Sequence, residues 1–307
     1  MNKTWLSLAA LAALVALLWL ATPARLHYTP GMELPALPAS ALIAGADERI
    51  ILNGDSRQPT WVVVALHGFS ASRQETAPLA ETVARQLGAA LIEARLTGHG
   101  QVEAAMDGVL AEHWLDDARR VLSEAATIGD KTIVIGTSTG ATLAAAVLDQ
   151  EFANRIDTLV MISPNFAPRD PKAQWLTRPA GPLLARMLVG DTRCWKAHNA
   201  LQEKFWSTCY PTAATVEMMR LVDRANRVLP ADIPQRLLMF YSSDDQVISP
   251  DAALEVVSAT GSPMKDVIEI RDPGDPSHHV LAGDILSPAQ TQHIADAIVG
   301  FIERPVP

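Results

Sequence analysis

A serine hydroxyl is a poor nucleophile at neutral pH unless a base takes its proton and a sharp turn holds it out of the fold. Residues 136–140, Gly136-Thr137-Ser138-Thr139-Gly140, are built for the turn. This G-x-S-x-G pattern follows the apolar run Thr132-Ile133-Val134-Ile135 and precedes Ala141-Thr142-Leu143-Ala144-Ala145-Ala146-Val147-Leu148, a good helix. Strand, turn and helix stand in the order that strains the backbone at Ser138, with glycines that let neighbouring segments pass close by. A glycine-serine-glycine spacing arises by chance in roughly one ordinary protein in ten to twenty at average glycine usage. Its meaning therefore depends on partners.

The base is expected to be a histidine held by a carboxylate. Downstream, the run Leu237-Leu238-Met239-Phe240-Tyr241 ends in Ser242-Ser243-Asp244-Asp245-Gln246-Val247-Ile248. Further on, Val267-Ile268-Glu269-Ile270 is followed by Pro276-Ser277-His278-His279-Val280-Leu281. The chain order Ser, Asp, His is complete, but both partners come as doublets, Asp244 or Asp245 and His278 or His279.

These groups need a scaffold that brings strand ends together. From Glu48 onward, apolar runs alternate with helical patterns, the signature of a mostly parallel sheet flanked by helices. Strands are predicted at Trp61 to Leu66, Ala90 to Ala94, Lys131 to Ile135, Thr158 to Ser163, Arg236 to Tyr241 and Asp266 to Ile270. Helices are predicted over Thr76 to Leu87, around Trp114 to Ala126, and over Ala289 to Ile302. Regularity lapses between about Pro164 and Pro234, where prolines, both cysteines, Trp175, Trp195, Trp206, Phe205, Met187, Met218 and Met219 gather. This reads as a cap inserted between sheet strands, beside the site.

At 307 residues, with 49% hydrophobic and 19% charged content, the chain supports one large core. A net charge of −9 without a Lys/Arg cluster excludes a phosphate-binding surface, so no nucleic acid is expected as a partner. From Thr4 to Ala24 there is no charged residue, and Trp5 and Trp19 bracket a stretch long enough to cross a bilayer. Residues 1–24 are thus predicted to be an uncleaved signal anchor, with a cleaved signal peptide as the alternative. The first places the protein at a membrane with its catalytic body periplasmic or extracellular, the second makes it secreted. Prolines 23, 30, 35 and 38 mark residues 25–47 as a stiff spacer. Cys194 and Cys209 lie close enough to close one loop in an oxidising compartment, and neither has the partners of a metal site.

Together these pieces resemble an α/β-hydrolase of the bacterial carboxylesterase and monoacylglycerol lipase group, to which the S33 serine aminopeptidases are related. The resemblance runs from about Arg49 to Phe301 and is carried by Leu66-His67-Gly68-Phe69-Ser70, Thr97-Gly98-His99-Gly100, Trp114-Leu115-Asp116-Asp117, the serine turn, Asp245-Gln246-Val247-Ile248 and Ser277-His278-His279-Val280-Leu281. It implies the α/β-hydrolase fold over residues 48–307 with an inserted helical cap at about 164–234. Its register selects Asp245 and His279 from the doublets, and sets Asp284 where such esterases often carry an acid. It further implies that the backbone N–H groups of Phe69 and Thr139 hold the oxyanion, with Ser70 as a further donor, and that His67 and His99 are structural. Relatives commonly have a second glycine where this chain has Ala141.

The function expected is hydrolysis of carboxylic esters, with an apolar and lipid-derived acyl group, through Ser138, His279 and Asp245 and an acyl-enzyme. No metal or organic cofactor is required. Two alternatives stand beside it: an amidase or aminopeptidase using cap acids such as Asp191 and Glu203 to hold a substrate amine, and a non-catalytic membrane-anchored binding protein on the same fold.

Overall fold

The computed structural model describes residue 22 and residues 25–305, apart from 38, 54–58, 103–104, 149–151, 153 and 229–232. Of the expected membrane segment all but residue 22 lies outside the described residues, and among those described no helix is long and apolar enough to cross a membrane.

Nine strands occur among the described residues: β1 (Arg49–Ile51), β2 (Trp61–Leu66), β3 (Ala90–Glu93), β4 (Lys131–Thr137), β5 (Ile156–Ile162), β6 (Thr192–Cys194), β7 (Cys209–Pro211), β8 (Arg236–Tyr241) and β9 (Lys265–Glu269). Seven form one sheet in the order β1-β3-β2-β4-β5-β8-β9, parallel throughout except for β1, which pairs antiparallel with β3. This is an α/β-hydrolase sheet, with β4 at its centre. The inner strands are apolar on both faces because helices cover both: Val62, Val64 and Val134 face one cluster, Val63, Ile133 and Ile135 the other.

On one face lie α2 (Ala111–Ile128), α3 (Thr139–Ala146), α6 (Thr212–Val228) and α7 (Pro250–Ala259); on the other lie α1 (Leu79–Leu87) and α8 (Pro288–Glu303). The expected helix from Thr76 begins three residues later, after a short 3-10 turn at Arg73–Glu75. Helix α7 was not anticipated. Pro250 occupies its first turn and the Ser249 hydroxyl caps the Ala252 amide, a start signal the sequence carries openly.

Between β5 and β8 the chain builds a 3-10 helix (Pro171–Thr177), α4 (Gly181–Val189), the β6–β7 hairpin enclosing α5 (Ala200–Phe205), and α6. Cys194 and Cys209 sit opposite one another in that hairpin and are disulfide-bonded. The described residues of 25–47, expected as a spacer, form no strand or helix, and the segment touches the body at several points. Leu26 is buried, the Tyr28 hydroxyl donates to Asp116 of α2, and the Ile43 amide donates to the Gly100 carbonyl.

Candidate active site

β4 delivers Ser138 at the carboxyl end of the central strand, and α3 begins at the next residue. Ser138 has φ 51° and ψ −117°, a conformation that L-residues rarely adopt. Hydrogen bonds hold it there: its amide donates to the Ile162 carbonyl at 2.8 Å, and its carbonyl accepts from the amides of Ala141, Thr142 and Asn165. The flanking glycines are required by close approach. A Cβ on Gly140 would lie 2.1 Å from the Leu66 carbonyl oxygen, and one on Gly136 2.6 Å from the backbone of Ala141.

Asp245 follows β8 and His279 lies beyond β9, and the fold brings them together: Asp245 Oδ2 and His279 Nδ1 are 2.8 Å apart, both buried. Asp245 Oδ1 accepts from the amides of Val247 and Ile248 at 2.8 and 2.9 Å, so neither carboxylate oxygen is left bare. The doublet neighbours sit elsewhere. Asp244 is exposed, and His278 is half-buried at φ 53° with its Nδ1 unpaired. Burial by itself would depress the His279 pKa, but the charge and hydrogen bond of Asp245, with smaller contributions from Glu75 and Asp275, outweigh it and leave the imidazole above its ordinary value.

The segment after β5 links histidine to serine. Ser163 Oγ donates to the His279 carbonyl at 2.8 Å, and two residues on, the Asn165 amide donates to the Ser138 carbonyl. The Asp284 side chain is exposed, while its amide donates to the Ala77 carbonyl. The buried acid of this loop is Asp275. Buried at the start of the histidine loop, it accepts from the Ser277 hydroxyl and from the amides of His279 and Val280 at 3.0 and 2.9 Å. An Asp just ahead of Pro276-Ser277 is a turn-forming signal that could have identified it.

Gly68-Phe69-Ser70 leaves the end of β2 beside the serine. The Phe69 ring is edge-on to Trp114, His99 and Tyr210, with centroids 5.9, 5.9 and 5.0 Å away. Ser70 is buried with φ 65°, and its carbonyl accepts from the Ser207 amide at 2.7 Å, which ties the cap to this loop. Thr139 opens α3, where first-turn N–H groups have no intrahelical acceptor and face outward. His67 and His99 are buried, with pKa values pushed by desolvation down to about 4 and about 3, and so are neutral. His67 Nδ1 donates to the Gly68 carbonyl while its Nε2 accepts from the Leu96 amide, a structural role.

One further buried acid had no pattern to announce it. Glu75, in the 3-10 turn, accepts the Gly68 amide at 2.6 Å. A separate cavity of about 230 Å³, lined in part by Phe166, Thr177, Met219 and Asn226, opens between the cap's 3-10 helix and α6, and none of Ser138, Asp245 or His279 lines it.

The profile of the family described as serine aminopeptidase, S33, matches residues 57–272. That covers well over half of the chain, so the chain belongs to this family of α/β-hydrolases. Solved structures that resemble it include one from work on LipS and LipT, two metagenome-derived lipolytic enzymes, with 22% identity over 85% of this chain and 99% of that one at a TM-score of 0.69. A Paleococcus ferrophilus monoacylglycerol lipase is 15% identical over 83% and 97% of the two chains, with a TM-score of 0.59. A soluble variant of the monoglyceride lipase of Saccharomyces cerevisiae is 13% identical over 91% and 98%, also at 0.59. At these identities the likeness is one of fold. Among curated proteins none matches.

Proposed function

We propose that this S33-family hydrolase cleaves carboxylic esters with an apolar acyl group, using Ser138 as nucleophile, His279 as general base and acid, and Asp245 as the carboxylate that orients the imidazole. The buried Asp245–His279 pair carries the reading. With Nδ1 committed to Asp245, Nε2 is the nitrogen left to take the Ser138 proton and to return it to the leaving alcohol. The amides of Phe69 and Thr139 hold the oxyanion, and each such donor contributes about 3 kcal/mol to lowering the barrier. Water then enters as second nucleophile and releases the acid by the same proton path.

Lipolytic neighbours of the same fold support an ester over an amide. The cap acids weighed for binding a substrate amine both face solvent, Asp191 in an ion pair with Arg186, so they form no enclosed acidic pocket. The reading extends to location: residues 1–24 anchor the chain in a membrane and the body lies outside the cytoplasm, consistent with a disulfide at Cys194–Cys209. Exposed Leu183, Met187 and Leu188 on α4 would then offer an apolar surface near lipid.

Hydrolysis of a p-nitrophenyl ester series by the purified chain tests the proposal. Turnover should fall by at least ~10⁴-fold in Ser138→Ala; no turnover in the wild type overturns it and leaves the amidase and binding-protein readings, and equal turnover in the variant overturns Ser138 as the nucleophile.

A further inference from the structure

Glu75 is a carboxylate that the proposed chemistry does not use, yet it is buried at the meeting of the two loops that the chemistry depends on. Its Oε2 accepts the Gly68 amide at 2.6 Å. A Cβ on Gly68 would fall 2.8 Å from Glu75 Oε1 and 3.2 Å from the Ser138 Cβ, so carboxylate and nucleophile both close on Gly68. The histidine loop closes on the same turn: a Cβ on Gly283 would lie 2.5 Å from the Glu75 carbonyl oxygen. Two charged groups of that loop, His279 and Asp275, interact with the Glu75 carboxylate, the first stabilising its charge and the second opposing it.

We propose that Glu75 is a positioning residue for the oxyanion site, gripping the Gly68 amide and thereby fixing the direction in which the next amide, that of Phe69, points. The inference rests on the esterase reading above. A glycine has the widest choice of backbone angles, and here the plane before Gly68 is held by Glu75 through the Gly68 amide while His67 Nδ1 and the Ala71 amide hold the Gly68 carbonyl of the plane after it, so the φ/ψ freedom between them is lost only with Glu75 in place. A charge-assisted hydrogen bond from the Gly68 amide to a buried carboxylate removes that freedom before substrate arrives. The same charge faces His279 and favours its imidazolium form. Desolvation raises the Glu75 pKa to about 7, so the carboxylate is ionised only above that, in the alkaline range where a serine hydrolase base is also neutral.

Three forms separate this role from simple core packing: wild type, Glu75→Ala and Glu75→Gln, each followed by p-nitrophenyl butyrate kinetics across pH, thermal melting, and the rate of labelling by a fluorophosphonate probe. Glu75→Ala should lose about 100-fold in kcat and in labelling rate, the scale of a misdirected catalytic group, with KM within about threefold. Glu75→Gln keeps an oxygen acceptor for the Gly68 amide and should recover most of kcat. It should also move the acid limb of kcat/KM to lower pH, because a negative neighbour of His279 is gone. A folded Glu75→Ala variant with wild-type kcat and labelling overturns the proposal, as does a Glu75→Gln variant whose acid limb stays in place. The Gln arm decides alone if the Ala variant fails to fold. A wild type that neither turns over ester nor takes the probe refutes the hydrolase reading itself, a separate outcome from wild-type behaviour in both variants.

Discussion

The strand-end shelf and the cap solve opposite problems with the same chain. Around Ser138 the polar groups of Asp245, Asp275, Glu75 and Ser163 are buried and hydrogen-bonded, and the backbone is held at a strained φ by neighbours on three segments. On α4 of the cap, Leu183, Met187 and Leu188 are 64%, 73% and 84% exposed. A reacting centre gains from groups fixed before substrate arrives, whereas a surface that meets varied apolar matter gains from side chains without fixed partners. Changes on the shelf should therefore alter rate at constant fold, and changes on the cap should alter stability or substrate range at nearly constant chemistry.

The sharpest break falls on the shelf. Asp245→Asn keeps an acceptor for the amides of Val247 and Ile248 but loses the charge at His279, and kcat should drop by roughly 10³ to 10⁴ with little change in melting temperature. The pH profile supplies a second reading. His279 must be neutral to act as base, so activity rises as pH passes upward through its folded pKa. Because that pKa is raised, the acid limb of kcat/KM in the wild type should lie above the ordinary imidazole value. Residual activity in Asp245→Asn should show the limb displaced downward. A variant with wild-type kcat would remove His279–Asp245 from the chemistry.

A smaller effect is expected where cap meets shelf. The disulfide closes the β6–β7 hairpin, whose Tyr210 packs edge-on to Phe69 and whose neighbour Ser207 bonds the Ser70 carbonyl. Replacing both Cys194 and Cys209 by serine should cost about 3 kcal/mol, seen as a lowered melting temperature, while kcat changes by less than about fivefold. If turnover instead collapses as far as in Asp245→Asn at a temperature where the variant is folded, the hairpin is part of the catalytic machinery. The division between shelf and cap would then fail.

The same division governs what could be read from the residues. The shelf was legible because each part is constrained by backbone: buried strands are apolar runs, Gly136 and Gly140 stand where a side chain would strike main chain, and the order Ser, Asp, His follows strand order. What escaped were acids whose role depends on burial. Nothing in Ser72-Arg73-Gln74-Glu75 distinguishes a carboxylate in the core from one in solvent, and Asp275 drew no notice although it precedes a Pro-Ser turn. In the cap the losses were of another kind. Met218, Leu221, Val222 and Ala225 recur at helical spacing and form the buried face of α6, but prolines and tryptophans on either side masked the period. Trp175 and Met187, grouped with the cap's apolar residues, are exposed rather than enclosed.

The smallest effect is also the most selective. Leu188 is the most exposed large apolar side chain on α4, so Leu188→Lys removes no packing and should change stability by no more than about 0.5 kcal/mol. Turnover of p-nitrophenyl acetate, which is dissolved as single molecules, should stay within twofold. A long-chain ester presented in phosphatidylcholine vesicles adds a second requirement, since the enzyme must reach an apolar surface before it can bind the acyl chain. Placing a charge at the tip of α4 works against that approach by the cost of desolvating the ammonium, and vesicle-bound substrate should be hydrolysed a few-fold more slowly. Measuring both substrates on the same preparation cancels differences in active fraction. Equal rates on vesicles for wild type and variant would show that α4 meets water only, and that the cap selects substrate through its enclosed side instead.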